Sequence, residues 1–277
     1  MTNMMKKHTI TLLFTLLLPI TSYAETVFNA NTCNRIFKNQ GNETCLKAIK
    51  GDANSGYAMA RVFGDPKSGA LTNIDYAFYW HLKLSRQVIK QNLTDKPFIM
   101  TLYNTGVLYT DGLGTQQNLK KGFYWFTQAA ERGEPLAMLR LTHAYEFGIG
   151  TTKNQQQSLY WLNKAVNLHH PKALIAMSKH LIEGNGVEKN ASLAVKHLKE
   201  AAQQNDAEAN FLLGNVYLGG VLASRDLTES KKWYAQSCQL NLLAGCKRYY
   251  DIDSNSPSLN QFLNKMPSSD DINTLNQ

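Results

Sequence analysis

The chain has 277 residues, 29 Lys and Arg against 21 Asp and Glu, and a net charge of +8. That length can bury a sizeable core, as one elongated domain or two compact ones. The basic residues are dispersed among acids in runs no longer than two, a pattern that argues against nucleic acid as a partner.

The first segment reads as an export signal. Lys6 and Lys7 precede an apolar run from Ile10 to Ile20, and Ser22, Tyr23 and Ala24 follow it, the order of a secretory signal peptide with cleavage after Ala24. The run is short of the roughly 20 apolar residues a bilayer span needs. Residues 1–24 are therefore set apart from the fold, and Cys33, the first cysteine, lies too far on to carry a lipid anchor at the junction. Removal of the segment takes away two lysines and no acid, so the mature charge is 27 − 21 = +6. The expected location is the periplasm or the exterior, with no integral membrane segment after cleavage.

From residue 51 onward the chain repeats itself. GDANSGYAMARVFG and DYAFYWHLKLS, at 51–64 and 75–85, form a degenerate first unit. Trp80 and Trp125 are 45 apart rather than 36, so about nine residues are inserted, expected as an extended helix around Arg86 to Asp95. Thereafter the period is 36: Gly112, Gly148, Gly184 and Gly220 share one column, and Gly114, Gly150 and Gly186 another. Trp125, Trp161, His197 and Trp233 keep the same step, as do Tyr109, Tyr145, Leu181 and Tyr217.

Each unit reads as two helices. Helix A opens after Glu134, His170 or Asp206, with Pro135 and Pro171 where a first turn tolerates a missing N–H. Apolar residues at helical spacing follow, such as Ala137, Leu141, Ala144 and Tyr145. The paired glycines end it. Asn118, Asn154, Asn190 and Asp226 then occupy the cap position of helix B. Helix B carries Phe123, Trp125, Phe126 and Ala129 in one unit and Leu159, Trp161, Leu162 and Ala165 in the next. Gly122, Ser158, Ala194 and Ser230 form a small-residue column that permits close helix approach, and Gly133, His169, Asn205 and Asn241 close the helix. After Asn241, LLAGCKRYY begins one more helix A, and residues 251–277 read as a polar tail. A hairpin of this size cannot bury its apolar face alone, so stacking supplies the core. The fold class is all-α: a right-handed superhelical α/α solenoid of about five hairpins over residues 25–250.

The stretches LYTDGLGTQQNLKKGFYWFTQAAERG, AYEFGIGTTKNQQQSLYWLNKAV and HLIEGNGVEKNASLAVKHLKEAAQQN resemble the Sel-one-like repeat family, relatives of the tetratricopeptide repeats. The resemblance covers roughly residues 45–250. It implies a protein-binding scaffold rather than an enzyme, and no shared catalytic residue, cofactor or metal.

The glycine pairs could be read as phosphate loops. A dinucleotide fingerprint, however, needs a preceding strand and a third glycine, whereas here a helix precedes each pair and the motif recurs in every repeat. They read as turns. Trp80, Trp125, Trp161 and Trp233 fall in the packing register and read as core; the adjacent Tyr79, Tyr124 and Tyr160 give way to Lys196 and Lys232, a more exposed column. His143, His169, His170, His180 and His197 form no HExxH and read as structural.

Four cysteines allow three connectivities. The two ends of a solenoid are far apart, which favours Cys33 with Cys45 and Cys238 with Cys246. The second pair, with seven residues between, also resembles the cysteine-rich branch of the family, where such bridges clamp successive hairpins. That branch implies a competing class, a β-lactam-binding protein with weak β-lactamase activity. The chain contains no SxxK and no KTG, and only one pair has the branch's spacing.

The columns that change their residue type from repeat to repeat mark the expected contact surface. On helix A these are Asn104, Arg140, Ala176 and Leu212; Val107, His143, Lys179 and Asn215; and Asp111, Phe147, Glu183 and Gly219. In related solenoids helix A lines the concave side. Asn104, Val107, Asp111, Arg140, His143, Phe147, Lys179, Glu183 and Asn215 are thus the candidate contacts to another protein, such as an envelope enzyme or a secreted effector that an immunity-type protein would neutralise.

Overall fold

A computed structural model describes residues 28–38 and 41–252. The signal-like segment 1–24 and the tail beyond residue 252 lie outside the described residues. Among those described, every regular element is helical. In chain order they are α1 (Ala30–Phe37), α2 (Asn42–Ile49), α3 (Ala53–Gly64), a 3-10 turn (Pro66–Leu71), α4 (Ile74–Gln91), α5 (Lys96–Asp111) and α6 (Leu119–Glu131). There follow α7 (Pro135–Phe147), α8 (Gln155–Asn167), α9 (Pro171–Glu183), α10 (Ala191–Gln203), α11 (Ala207–Gly219), α12 (Leu227–Gln239) and α13 (Leu243–Ile252).

Each helix packs chiefly on the one before and the one after it, the arrangement of an α-solenoid. The pairs α3/α4, α5/α6, α7/α8, α9/α10 and α11/α12 are five A/B hairpins, preceded by the short pair α1/α2 and followed by α13 as a final helix A. Helix A also meets helix A across successive repeats, α3 with α5 and α11 with α13.

Local chemistry sets the boundaries. Asn118, Asn154 and Asn190 accept hydrogen bonds from the backbone N–H of Lys121, Gln157 and Leu193 at 2.9, 3.1 and 2.9 Å. Asp226 accepts from Thr228 and Glu229. Each cap satisfies an otherwise orphaned donor and is worth about 1 kcal/mol. At the other end of helix B, Gly133, His169, Asn205 and Asn241 all take positive φ. The small-residue column faces helix A of the same hairpin: Ser158 and Ser230 donate to the carbonyls of Thr142 and Gly214, at 3.0 and 2.9 Å. A methyl at Gly122 would strike Thr110.

The nine inserted residues are distributed rather than confined to one helix B. The helix α4 has 18 residues and α5 has 16, against 13 in α6 and α7, and the turn between α4 and α5 is one residue longer than its successors. Asn92, at φ 50, stops α4 before Asp95 is reached, and Pro97 restarts the chain in the first turn of α5. Proline there lacks a donor that the first turn would leave unused in any case.

Trp80, Trp125 and Trp161 are buried, as the column predicts. Trp233 departs from it and is only half-buried. Its neighbour Tyr234 is fully buried, like Phe126, Leu162 and Leu198 in the same column. The Tyr234 ring lies against Gly214, where a β-carbon would collide with it, and its hydroxyl donates to Asn215 Oδ1 at 2.7 Å. Glycine on the facing helix makes room for the larger ring.

Candidate protein-binding surface

The two glycine columns of the A–B loops have different tasks. Gly112, Gly148, Gly184 and Gly220 cap helix A at φ of 71, 76, 74 and 67°, the left-handed C′ position that glycine occupies without steric cost. The second glycine faces the preceding repeat. A β-carbon at Gly150 would collide with the Leu119 carbonyl at the start of α6, and one at Gly186 with Gln155 and Leu159 on α8. The pair is a cap plus an inter-repeat contact, and a helix rather than a strand precedes it.

The candidate residues on helix A divide into two groups. Arg140, His143 and Phe147 lie at i, i+3 and i+7 on α7, hence on one face, and all three are exposed. Phe147 is 52% exposed, and the His143 ring sits 4.5 Å from it. Arg140 reaches back over the Phe126 ring at 6.0 Å. Asp111, Lys179 and Glu183 are also exposed. Val107, in contrast, is half-buried against the main core, and Asn215 is engaged by Tyr234. Asn104 is half-buried as well.

Charged residues link successive A helices. Lys172 on α9 lies 3.1 Å from both Asp206 and Glu208 at the start of α11, and Lys179 lies 3.8 Å from Glu208. The two exposed pairs with Glu208 contribute about 0–1 kcal/mol each. They orient the surface more than they hold it.

Both cysteine pairs are joined, Cys33 to Cys45 and Cys238 to Cys246. The first links α1 to α2 and the second α12 to α13, so each end of the stack is covalently clamped. Such bonds point to an oxidising compartment. The histidines do not gather into a ligand set: among the described residues no three His, Cys, Asp or Glu side chains are grouped to hold a metal. His180 Nδ1 pairs with the Asn185 carbonyl at 2.8 Å, and His169 meets Glu200 of the next repeat. Burial lowers the pKa of His170 and His197. His81, more deeply buried on α4, is pushed down to about 4 by loss of solvation. Tyr124 and Tyr160 are exposed, as their column predicts, with Lys164 4.8 Å from the Tyr160 ring, whereas Tyr79 is half-buried and stacked on Phe28. Among the described residues no helix is long and apolar enough to cross a membrane.

One feature escapes a reading by columns. An open cleft of about 730 Å³ separates α10 from the loop joining α11 to α12, with Val195, Lys196, Lys199, Tyr217 and Leu222 among its walls. The signal was present in the sequence as an exception. Leu222 stands where the three earlier repeats have Gly114, Gly150 and Gly186.

The architecture defines a class of protein, the α-solenoids built from stacked helix hairpins. Residues 52–87, 100–134, 135–170, 171–206 and 207–242 each match the Sel1 repeat, and the chain belongs to the Sel1 repeat family. A Sel1 repeat protein from Oxalobacter formigenes has the same fold at a TM-score of 0.65 and 22% identity, over 81% of this chain and 89% of that one. So does c5321, a protective antigen present in uropathogenic Escherichia coli strains, at a TM-score of 0.64 and 20% identity. That match covers 82% of this chain but only 49% of the antigen. No curated protein is significantly similar in sequence. Sel1 repeat proteins serve in general as protein-interaction scaffolds.

Proposed function

We propose that this chain is a non-enzymatic scaffold of the bacterial periplasm that binds another protein through the exposed face of its A helices. The observation that carries the reading is the trio Arg140, His143 and Phe147 on α7. A large aromatic ring, 52% exposed, lies beside an imidazole, and Arg140 shares the same helix face two turns before it. Aromatic and Arg side chains are the ones that dominate binding energy at protein interfaces. Asp111, Lys179 and Glu183 extend the same surface along the stack with charges that differ from repeat to repeat, which confers partner choice rather than stability.

The export-type N-terminal sequence and the two disulfides that clamp the ends of the stack support that compartment. A partner that meets the chain there is an envelope enzyme under its control or a secreted effector that it neutralises in the manner of an immunity protein. Capture from periplasmic extract tests the proposal. The double substitution Arg140→Ala with Phe147→Ala is expected to release the captured partner at unchanged thermal stability. Retention of the partner by that variant would move the interface elsewhere. Turnover of nitrocefin by the purified protein, abolished by a single substitution, would replace the scaffold with a β-lactam-hydrolysing enzyme.

A further inference from the structure

The junction between α10 and the α11–α12 loop differs from the three junctions before it, and the differences converge. In those three, a left-handed glycine lets the loop backbone settle on the first turn of the preceding helix B: Gly114 on Ile74, Gly150 on Leu119, Gly186 on Gln155. At the fourth the glycine is Leu222, which is outside the left-handed region among the described residues. Leu222 and Ala223 pack by their side chains against the core cluster that includes Val195 and Leu198, and Val221 projects with 86% of its surface exposed.

A second column changes at the same place. Helix B presents Phe78 to Tyr109, with ring centroids 5.1 Å apart, then Phe123 to Tyr145 at 5.3 Å. At the third junction Leu159 is the equivalent, and at the fourth it is Val195, the smallest of the four. Tyr217 is left without the bulky apolar partner its predecessors have. The cleft of about 730 Å³ occupies the space that these two changes leave open.

Its chemistry is specific. The floor is apolar, from Val195, Tyr217, Leu222 and Ala223, and one wall is the solvent side of α10 with Lys196 and Lys199. Lys199 holds its ammonium 5.7 Å from the Tyr217 ring. Glu200 supplies the one carboxylate among the lining residues, and it is engaged by His169. The cleft thus combines an apolar trough with positive charge at its rim. A small polyanion would leave the trough unfilled, and a purely apolar ligand would leave the lysines unmatched. A peptide strand that buries one aromatic or aliphatic side chain and flanks it with carboxylates satisfies both.

We propose that this cleft binds an acidic segment of a partner protein, inserting an apolar side chain over Val195 and pairing flanking carboxylates with Lys196 and Lys199. The site lies on helix B and the loop edge, distinct from the Arg140–Phe147 face, so it stands or falls separately from the function proposed above.

The test uses the folded protein and a fluorescein-labelled peptide, Gly-Asp-Glu-Phe-Glu-Asp-Gly, followed by fluorescence anisotropy, with the same peptide carrying Lys in place of its acids as control. Saturable binding of the acidic probe alone is expected, weakened at least ten-fold by Lys196→Glu with Lys199→Glu. A loss of similar size is expected in Val195→Phe, which restores the bulk found in the first two junctions. Both variants should keep the wild-type helical circular dichroism. Should Val195→Phe fail to fold, the exposed lysine pair still decides the matter. Arg140→Ala with Phe147→Ala should leave the probe's affinity unchanged. Equal binding of the lysine control, or a lysine-reversed variant that binds as wild type, would overturn the proposal. So would a gain in affinity on removing residues 253–277, because the occupant would then be the chain's own C terminus.

Discussion

Replacing Gly150 by alanine adds one methyl group to a loop that already touches the preceding repeat, and its cost follows from two separate effects. Gly150 has φ of 71°, a left-handed conformation that costs an L-residue about 1–2 kcal/mol. The new methyl would also collide with the Leu119 carbonyl and crowd the Lys120 N–H. Both are backbone atoms of α6, which cannot rotate out of the way, so overpacking of about 1–3 kcal/mol is added. Gly133 provides the control. Its φ is 91°, and a β-carbon there would meet nothing within 4 Å. Gly133→Ala therefore carries only the conformational cost of about 1–2 kcal/mol. Gly150→Ala should lose roughly 2–5 kcal/mol in total. For a stack of this size about 1 kcal/mol lowers Tm by roughly 2–4 °C, so the two variants should separate clearly in thermal unfolding followed by circular dichroism. Equal losses would refute the inference that the second glycine of the pair is an inter-repeat contact.

Three further outcomes are expected. Cys238→Ser opens a loop whose closure the chain-entropy model values at about 2.6 kcal/mol, and hydrogen exchange should show α13 losing protection first, with α7 and α8 unaffected. His81→Leu should flatten the acid limb of the stability profile: with a folded pKa near 4 against 6.5 unfolded, the unfolded state binds the extra proton. Stability from this site is full above pH 6.5 and falls by up to about 3 kcal/mol as pH drops toward 4, a slope that urea titrations at pH 7, 5.5 and 4 would detect. Arg140→Ala and Phe147→Ala, both at exposed positions, should each shift stability by no more than about 0.5 kcal/mol; a larger loss in urea unfolding would make them structural.

Much of the hairpin repeat is legible before any coordinates are seen, because packing recurs. Every repeat places similar neighbours around Phe126, Leu162 or Leu198, so apolar residue types recur at 36 and record both the helix boundaries and the buried side. The caps are equally local: Asn118 or Asn154 needs only the first turn of its own helix to satisfy a donor. The same logic explains why Leu119 and Phe147, which vary between repeats, are exposed.

The departures required tertiary structure. That the inserted residues extend α4, α5 and their turn together depends on where Asn92 can turn left-handed and where Pro97 can restart the helix. That a tyrosine ring at 234 fits where Leu162 and Leu198 stand in earlier repeats depends on Gly214, a residue of the facing helix. The site residues show the same division. Arg140, His143 and Phe147 share a face by helical periodicity alone, whereas the engagement of Asn215 by Tyr234 is a contact between two helices. The cleft beside Val195 is the clearest case. A leucine in a glycine column and a valine in a column of Phe and Leu are each visible as exceptions, 27 residues apart in the chain. Only the stacking of one repeat on the next brings them face to face, because an exception in packing has its effect on the neighbour in space and not on the neighbour in sequence.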